Sequence, residues 1–249
     1  FFISILLALV GYFSAEPLMK IVGAGPEILR DSISYFEVSS FGFVFLFMFF
    51  VFQSLMRGIG NVYLPMFIIL GTVLLNLVLD PLFIFGWGPI EGNGVAGAAI
   101  ASVFTQGISA VVGLFILFRG KMGIKIKFIH MKWDFLWVKK LFELGIPSSL
   151  DQSSRAAGMT FMIMLVTSFG SEVVAAYGVG ARILSLGVVP ALGFAIATTS
   201  LVGQNIGANK IKRAEKIGDL SNKIGFWGLT AIGLLLFIFA EPITAFFIP

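Results

Sequence analysis

Residues 64–87 read LPMFIILGTVLLNLVLDPLFIFGW, and this stretch holds a single charged side chain, Asp80. A helix needs roughly 20 apolar residues to cross the hydrocarbon core of a bilayer, which is about 30 Å thick. The stretch is long enough for that crossing, and the loop at 88–94, which contains glycine and proline, follows it. We therefore predict a membrane-spanning helix here.

The composition of the whole chain is that of a protein surrounded by lipid. Of its 249 residues, 58% are apolar and 12% are charged, and the mean hydropathy is +1.00. A soluble domain usually carries about 25% charged residues, so this chain has too few polar side chains to cover a globular surface. It has no cysteine, which excludes disulfides, thiol catalysis and cysteine-bound metal. The sequence predicts an all-α polytopic membrane protein, located in the cell membrane.

Apolar runs and polar connections alternate along the entire chain. The runs cover about 1–14, 33–56, 64–87, 95–118, 141–170, 173–203 and 224–248. The first run is too short to cross a bilayer, so we expect it to be the end of a truncated span. The polar connection that follows it covers 15–32, and the count is about seven spans.

Basic residues are concentrated in two of the connections between these runs. Residues 119–140 hold 7 and residues 204–223 hold 5 of the 17 Lys and Arg side chains. Cytoplasmic loops carry an excess of such residues, so both loops are predicted to be cytoplasmic and residues 15–32 to lie outside. We interpret the basic loops as a sign of topology, and we expect a lipid bilayer rather than a nucleic acid as the partner.

A short repeat relates the two ends of the chain. The tripeptide Ala-Glu-Pro at 15–17 recurs at 240–242, in each case at the outer end of an apolar run. An even number of spans separates the copies, which predicts two parallel six-helix halves. The expected division is 1–118 as the later four helices of one lobe, 119–140 as a basic cytoplasmic connector and 141–249 as the first three helices of the next lobe. We therefore expect a fragment that lacks two helices before Phe1 and three after Pro249.

One motif typical of soluble enzymes is present in a context that excludes its usual function. Residues 92–97, GNGVAG, match the glycine pattern of a dinucleotide-binding loop, but such a site needs a preceding strand and an acid about 20 residues later. Residues 112–118 contain no acid. We interpret the motif as a tight outer turn whose small residues let helices approach, and His130 as an exposed interfacial residue. No paired catalytic constellation is present, so we do not expect an enzyme.

Asp80 is the most informative ionisable residue because a carboxylate within a span is costly unless it has a function. Asn76 lies four residues earlier and shares its helix face. Pro81 removes a helix hydrogen bond and should leave a backbone carbonyl free at a kink. Carboxylate, amide and carbonyl together suit a proton or Na⁺. The alternative is a structural hydrogen bond at the kink.

A second polar cluster occupies the first half of the run at 141–170. Asp151 and Arg155 are four residues apart and can pair within a helix, with Gln152 between them. A structural ion pair and a cavity-lining role are both open for this cluster. Gln53 is a further candidate for lining a cavity, whereas Arg182 is interpreted as a helix-packing anchor.

Four segments, in the right order along the chain, resemble the multidrug and toxic compound extrusion (MATE) transporters. FQSLMRGIGN at 52–61 resembles the turn after the fourth helix of that family, and GIP at 145–147 the opening of the seventh. AAYGVGARI at 175–183 resembles the start of the eighth helix, and LVGQNIGAN at 201–209 the loop after it. The branch it most resembles is the prokaryotic DNA-damage-inducible one.

The resemblance implies a twelve-helix, two-lobe antiporter that exports amphipathic, often cationic compounds in exchange for Na⁺ or H⁺, with no other cofactor. Asn76 and Asp80 match the polar pair in the fifth helix of that branch, and Ser102 lies where its sixth helix often has a hydroxyl. Other branches carry a glutamate in the seventh helix. Arg155 occupies that position here, which argues against a glutamate-based site, although Asp151 lies one turn away.

Two functions remain after this comparison of motifs. A cation-coupled exporter, expected to be monomeric, is the first. A flippase of lipid-linked precursors from the same superfamily is the alternative, and its cavity should carry several basic residues for phosphates. Only Arg155 and Arg182 are embedded in the predicted spans, which favours the exporter.

Overall fold

The computed structural model describes residues 1–22, 25–88, 90–120, 122–127 and 134–247. The chain divides into two compact units, a first unit of Phe1–His130 and a second unit of Met131–Pro249. Both are built from long helices, which confirms the all-α polytopic class. The division falls within the predicted connector at 119–140, while the assignment of the units to two lobes stays a prediction. His130 lies outside the described residues.

In the described part of the first unit there are four helices and one small hairpin. The helices are α1 (Phe2–Val22), α2 (Pro26–Gly58), α3 (Tyr63–Phe85) and α4 (Gly94–Arg119). Between α3 and α4, β1 (Gly86–Trp87) pairs antiparallel with β2 (Ile90–Glu91). The principal helix contacts are those of α2 with α4, α1 with α2, and α3 with α4.

The second unit has four helices among its described residues, 134–247. They are α5 (Phe135–Thr167), α6 (Ser171–Gly207), α7 (Ile211–Ile238) and α8 (Ala240–Phe247). Asp134 caps the start of α5, since its Oδ1 accepts a hydrogen bond from the backbone N–H of Leu136 at 3.0 Å. The principal contacts are those of α6 with α7 and of α5 with α6.

Within the described residues, 6 helices are long and apolar enough to cross a membrane: α1, α2, α3, α4, α6 and α7. The remaining expected span, the fifth along the chain, corresponds to α5, which has 33 residues but is not among them. Its first half carries the polar cluster around Asp151, which lowers its hydropathy. α8 has 8 residues and is too short to span.

The buried core of the first unit lies where α2 and α4 end. Phe49, Phe52, Met56 and Leu117 form one apolar cluster, and the ring centroids of the two phenylalanines are 5.7 Å apart. Gly113 makes this packing possible, because a Cβ added there would lie 2.8 Å from Cγ of Phe52. The cluster holds α2 and α4 side by side at this end.

Most of the predicted polar connection at 15–32 is helical, while its location outside stays a prediction. α1 continues to Val22, and α2 already begins at Pro26. Glu16 and Lys20 pair along α1 and support the helix beyond its apolar part. The first apolar run is therefore part of a longer helix, since Phe2–Ile21 meets the length for a crossing, and its truncation stays a prediction. Hydropathy marks where a chain leaves the hydrocarbon, and a helix can continue past that level.

The basic loop at 204–223 is likewise mostly helical. α6 ends at Gly207 and α7 begins at Ile211, so the turn covers only 208–210, with Asn209 at φ 57°. The last expected span, 224–248, is interrupted, because α7 ends at Ile238 and α8 begins at Ala240. The two Ala-Glu-Pro copies consequently differ: the first lies inside α1, and the second opens α8.

Candidate functional site

The predicted polar pair of α3 is present. Asn76 donates a hydrogen bond from Nδ2 to Oδ1 of Asp80 at 3.1 Å, and both side chains are half-buried. The geometry follows from the helix itself, because residues four apart lie on one face. Asp80 keeps its second carboxylate oxygen for a further proton, cation or donor. This confirms the pairing, while its role in coupling stays a prediction.

Pro81 lies inside α3, which continues to Phe85. Proline has no backbone N–H, so the carbonyl of Leu77 loses its usual helix partner one turn earlier. A carbonyl that lacks its helix bond is an additional oxygen on the helix that carries Asp80. The kink expected at Pro81 stays a prediction.

α4 packs along α3, and two contacts fix its register. Ser109 donates from Oγ to Oγ1 of Thr72 at 3.1 Å near one end of the contact. Near the other end, Gly97 approaches α3 so closely that an added Cβ would lie 2.1 Å from the carbonyl oxygen of Phe83. The helices run antiparallel, so moving along α4 from Ser109 to Ser102 corresponds to moving along α3 from Thr72 towards Asp80. Ser102 is therefore at the level of the carboxylate.

The same contacts explain the glycine motif at 92–97. A Cβ at Gly92 would lie 2.6 Å from the carbonyl carbon of Phe85, and Gly94 has φ +53°. Both observations describe a tight turn in which the backbone of α4 approaches that of α3. The interpretation as a turn whose small residues let the helices approach is confirmed, and β2 immediately precedes it.

Sequence reasoning missed a set of hydroxyl side chains beside the Asn76–Asp80 pair. Thr72 extends the face of α3 one turn before Asn76, and Thr105 and Ser109 are buried on α4. Thr105 donates to the carbonyl of Ala101 at 3.1 Å, and Ser109 also approaches the carbonyl of Thr105 at 3.1 Å. The signal was the four-residue spacing of polar groups at 72, 76 and 80. It was overlooked because Thr is common on apolar helix faces.

The site brings together one carboxylate, one amide and a row of hydroxyls. Among the described residues, there is no group of three or more His, Cys, Asp or Glu able to hold a metal. A single carboxylate has one negative charge, which matches a proton or a monovalent cation rather than a divalent ion. Na⁺ at Asp80 and Asn76 therefore remains the cation to test.

The structure places Gln53 away from this site, near the C-terminal end of α2. Its Oε1 accepts a hydrogen bond from Arg57 at 2.9 Å, and Arg57 also donates to Oγ of Ser54 at 3.2 Å. Gln53 is half-buried, and its side-chain carbonyl is hydrogen-bonded to the arginine at the end of the helix. A cavity-lining role for Gln53 stays an untested prediction, with this hydrogen bond as a competing explanation.

Asp151 and Arg155 form the predicted pair on α5. Nε of Arg155 lies 3.2 Å from Oδ2 of Asp151. The side chain of Arg155 is 66% exposed and that of Asp151 is 61% exposed. Gln152 is also exposed. The pairing is confirmed. The exposure of both partners is compatible with a structural pair and with a surface that meets substrate.

The Asp151–Arg155 pair should contribute little to stability. An exposed pair four residues apart contributes about 0.3–0.5 kcal/mol, so Asp151→Asn and Arg155→Gln should each leave the melting temperature nearly unchanged. A loss of transport without a loss of stability in both variants would assign the pair to the cavity. If instead each variant melts far lower and the double variant recovers, the pair is structural.

Comparisons with known proteins agree on one family. The model of the family described as MatE matches residues 1–82 and 147–249. A probable multidrug resistance protein, YpnP of Bacillus subtilis, is 29% identical over 247 residues, covering 99% of this chain and 54% of the relative. The FAD transporter of Shewanella oneidensis is 26% identical over 245 residues, and the match covers 97% of this chain and 53% of that relative. The chain spans about half the length of these curated relatives.

The fold has close counterparts among solved structures. A crystal structure of a MATE protein in complex with MaD3S superposes with a TM-score of 0.89 at 27% identity. The superposition covers 99% of this chain and 55% of the solved chain. Sequence and fold therefore agree over nearly the same length.

Proposed function

This chain belongs to the MatE family of multi-pass membrane transporters, and from that premise we propose that it forms part of an antiporter coupled to Na⁺ or H⁺. The exported compounds are proposed to be amphipathic and cationic small molecules. The observation that carries the proposal is the Asn76–Asp80 hydrogen bond of 3.1 Å on a helix long enough to span the membrane. A carboxylate kept within a span is costly, and coupling-ion binding is the function that explains it best.

The proposed exchange depends on the charge of Asp80. With a proton or Na⁺ bound, the carboxylate is neutralised and tolerates its half-buried position on α3. Without the cation it carries a full negative charge, which attracts a cationic compound into the same region. Cation and drug then compete for the same site. If the protein changes conformation with either one bound alone, the two are exchanged across the membrane.

The structure supports the exporter over the flippase of lipid-linked precursors. A flippase cavity needs positive charge that is available for phosphate groups. Arg155, one of the two arginines in the predicted spans, pairs with Asp151 at 3.2 Å, which reduces the charge it offers to an anion. Related proteins are transporters, so catalysis is not part of the proposal.

Proteoliposomes that contain the full-length protein provide the direct test. An imposed Na⁺ or pH gradient should drive uphill movement of a fluorescent cation such as ethidium, and an ionophore that collapses the gradient should stop it. Separate Na⁺ and pH gradients identify the coupling ion. Movement of a fluorescent lipid without movement of ethidium would replace the exporter with the flippase.

A further inference from the structure

The segment that follows α4 folds back over the end of the first unit. Residues 122–127, MGIKIK, are called the strap. Gly120, at φ +70°, turns the chain after Arg119, and the backbone N–H of Ile126 then donates to the carbonyl of Leu117 at 3.2 Å. The strap is therefore held against the helix that it has just left.

The apolar residues of the strap cover the core cluster of the first unit. Ile124 and Ile126 pack against the cluster that contains Phe52 and Met56 of α2. A further contact joins the strap to the turn after α2, where Nδ2 of Asn61 lies 3.9 Å from Sδ of Met122. Ile124 and Ile126 are partly buried, whereas Lys125 and Lys127 are exposed, so the two lysines face away from the core.

The outer face of the strap is basic and its position is fixed. Lys125 and Lys127 are exposed, and an added Cβ at Gly120 would lie 2.8 Å from the aliphatic stem of Lys125. At the same end, the guanidinium of Arg119 lies 5.4 Å from the ring centroid of Phe115, and Arg57 ends α2. The sequence has no Asp or Glu in 38–79 or in 92–133, so no nearby acid along these segments offsets the charge.

We propose that the strap, together with Arg119, binds the anionic headgroups of phospholipids at the cytoplasmic surface of the membrane. α2 and α4 are both long enough to span, so the level at which they end is the headgroup region. The positive-inside rule assigns this end to the cytoplasmic leaflet, whose surface is anionic. Lys125 and Lys127 stand on an anchored backbone, so they do not lose backbone freedom when they bind. The inference is independent of what the protein transports.

The test measures lipid binding by the full-length protein in detergent, using native mass spectrometry during titration with phosphatidylglycerol or phosphatidylcholine. The protein should retain phosphatidylglycerol preferentially. In Lys125→Gln/Lys127→Gln, the apparent affinity for phosphatidylglycerol should fall roughly tenfold, since each lysine near an anionic surface contributes separately. Its melting temperature should stay unchanged, because both side chains are exposed.

Lys212→Gln/Lys216→Gln is the matched control. It removes the same charge from exposed positions near the start of α7, in the basic segment 204–223 that is predicted to lie on the same side of the membrane. It should leave most of the phosphatidylglycerol binding intact. An equal loss of phosphatidylglycerol affinity in both double variants would show attraction by net charge and would overturn the proposal. Unchanged phosphatidylglycerol binding in the strap variant would overturn it as well. Complete displacement of the lipid by inorganic phosphate at equal concentration would identify a site for free anions instead.

Discussion

Asp80→Asn is expected to abolish gradient-driven efflux by the full-length protein while leaving insertion and folding normal. Asparagine has nearly the same shape as aspartate and can still accept the hydrogen bond from Asn76 through its carbonyl oxygen. It cannot become negatively charged, so it neither exchanges a proton nor attracts Na⁺. Ethidium transport in proteoliposomes under a Na⁺ or pH gradient should fall to the level of protein-free vesicles.

Two comparisons make the Asp80 result specific. Asp219→Asn removes an exposed carboxylate of α7 and should transport like the unmodified protein. Asn76→Ala keeps the carboxylate but removes its donor, so it should reduce transport less than Asp80→Asn does. Full efflux by Asp80→Asn would show that Asp80 only stabilises the helix near Pro81, and the coupling role would be abandoned.

Gly97→Val is expected to separate α3 from α4 and to destabilise the first unit strongly. Even the first added carbon would lie 2.1 Å from the carbonyl oxygen and 2.5 Å from the carbonyl carbon of Phe83. These are backbone atoms, so no side-chain rotation relieves the overlap. Overpacking of a helix contact typically costs about 1–3 kcal/mol, and the additional methyl groups of valine should place this variant at the upper end or beyond.

The matched control for Gly97 is Gly71, which lies in the middle of α3. A Cβ added at Gly71 meets nothing within 4 Å, and alanine is a better helix former than glycine by about 1 kcal/mol. Thermal unfolding in detergent should therefore show Gly71→Ala as neutral or stabilised and both Gly97→Ala and Gly97→Val as destabilised. Equal melting temperatures for Gly71→Ala and Gly97→Ala would mean that the approach of the two helices is looser than described.

The parts of the site that could be predicted are those in which both residues of a pair lie on the same helix. The Asn76–Asp80 and Asp151–Arg155 pairs both join residues four apart, and this spacing fixes their proximity whatever surrounds the helix. The membrane-spanning class was equally accessible, because the length of an apolar run is compared with a known bilayer thickness. The family resemblance added Ser102, which lies on a different helix.

The missed features depend on packing between helices. The Ser109–Thr72 hydrogen bond follows from the register of α4 against α3, which no pattern within either segment determines. Much of 15–32 and 204–223 is helical, because charged residues end an apolar run without ending the helix that contains it. In the strap, the charge of Lys125 and Lys127 hid the alternation with Ile124 and Ile126, so the segment was interpreted only as a basic connector.

The strap also has a consequence for biosynthesis. Its described contacts reach back to Asn61, to Leu117 and to the cluster around Phe52, all of which leave the ribosome before it does. Chains generally fold from the N-terminal side during synthesis. These contacts of the first unit can consequently be completed while α5 is still being translated. A nascent chain that ends soon after Lys127 already contains every residue they need.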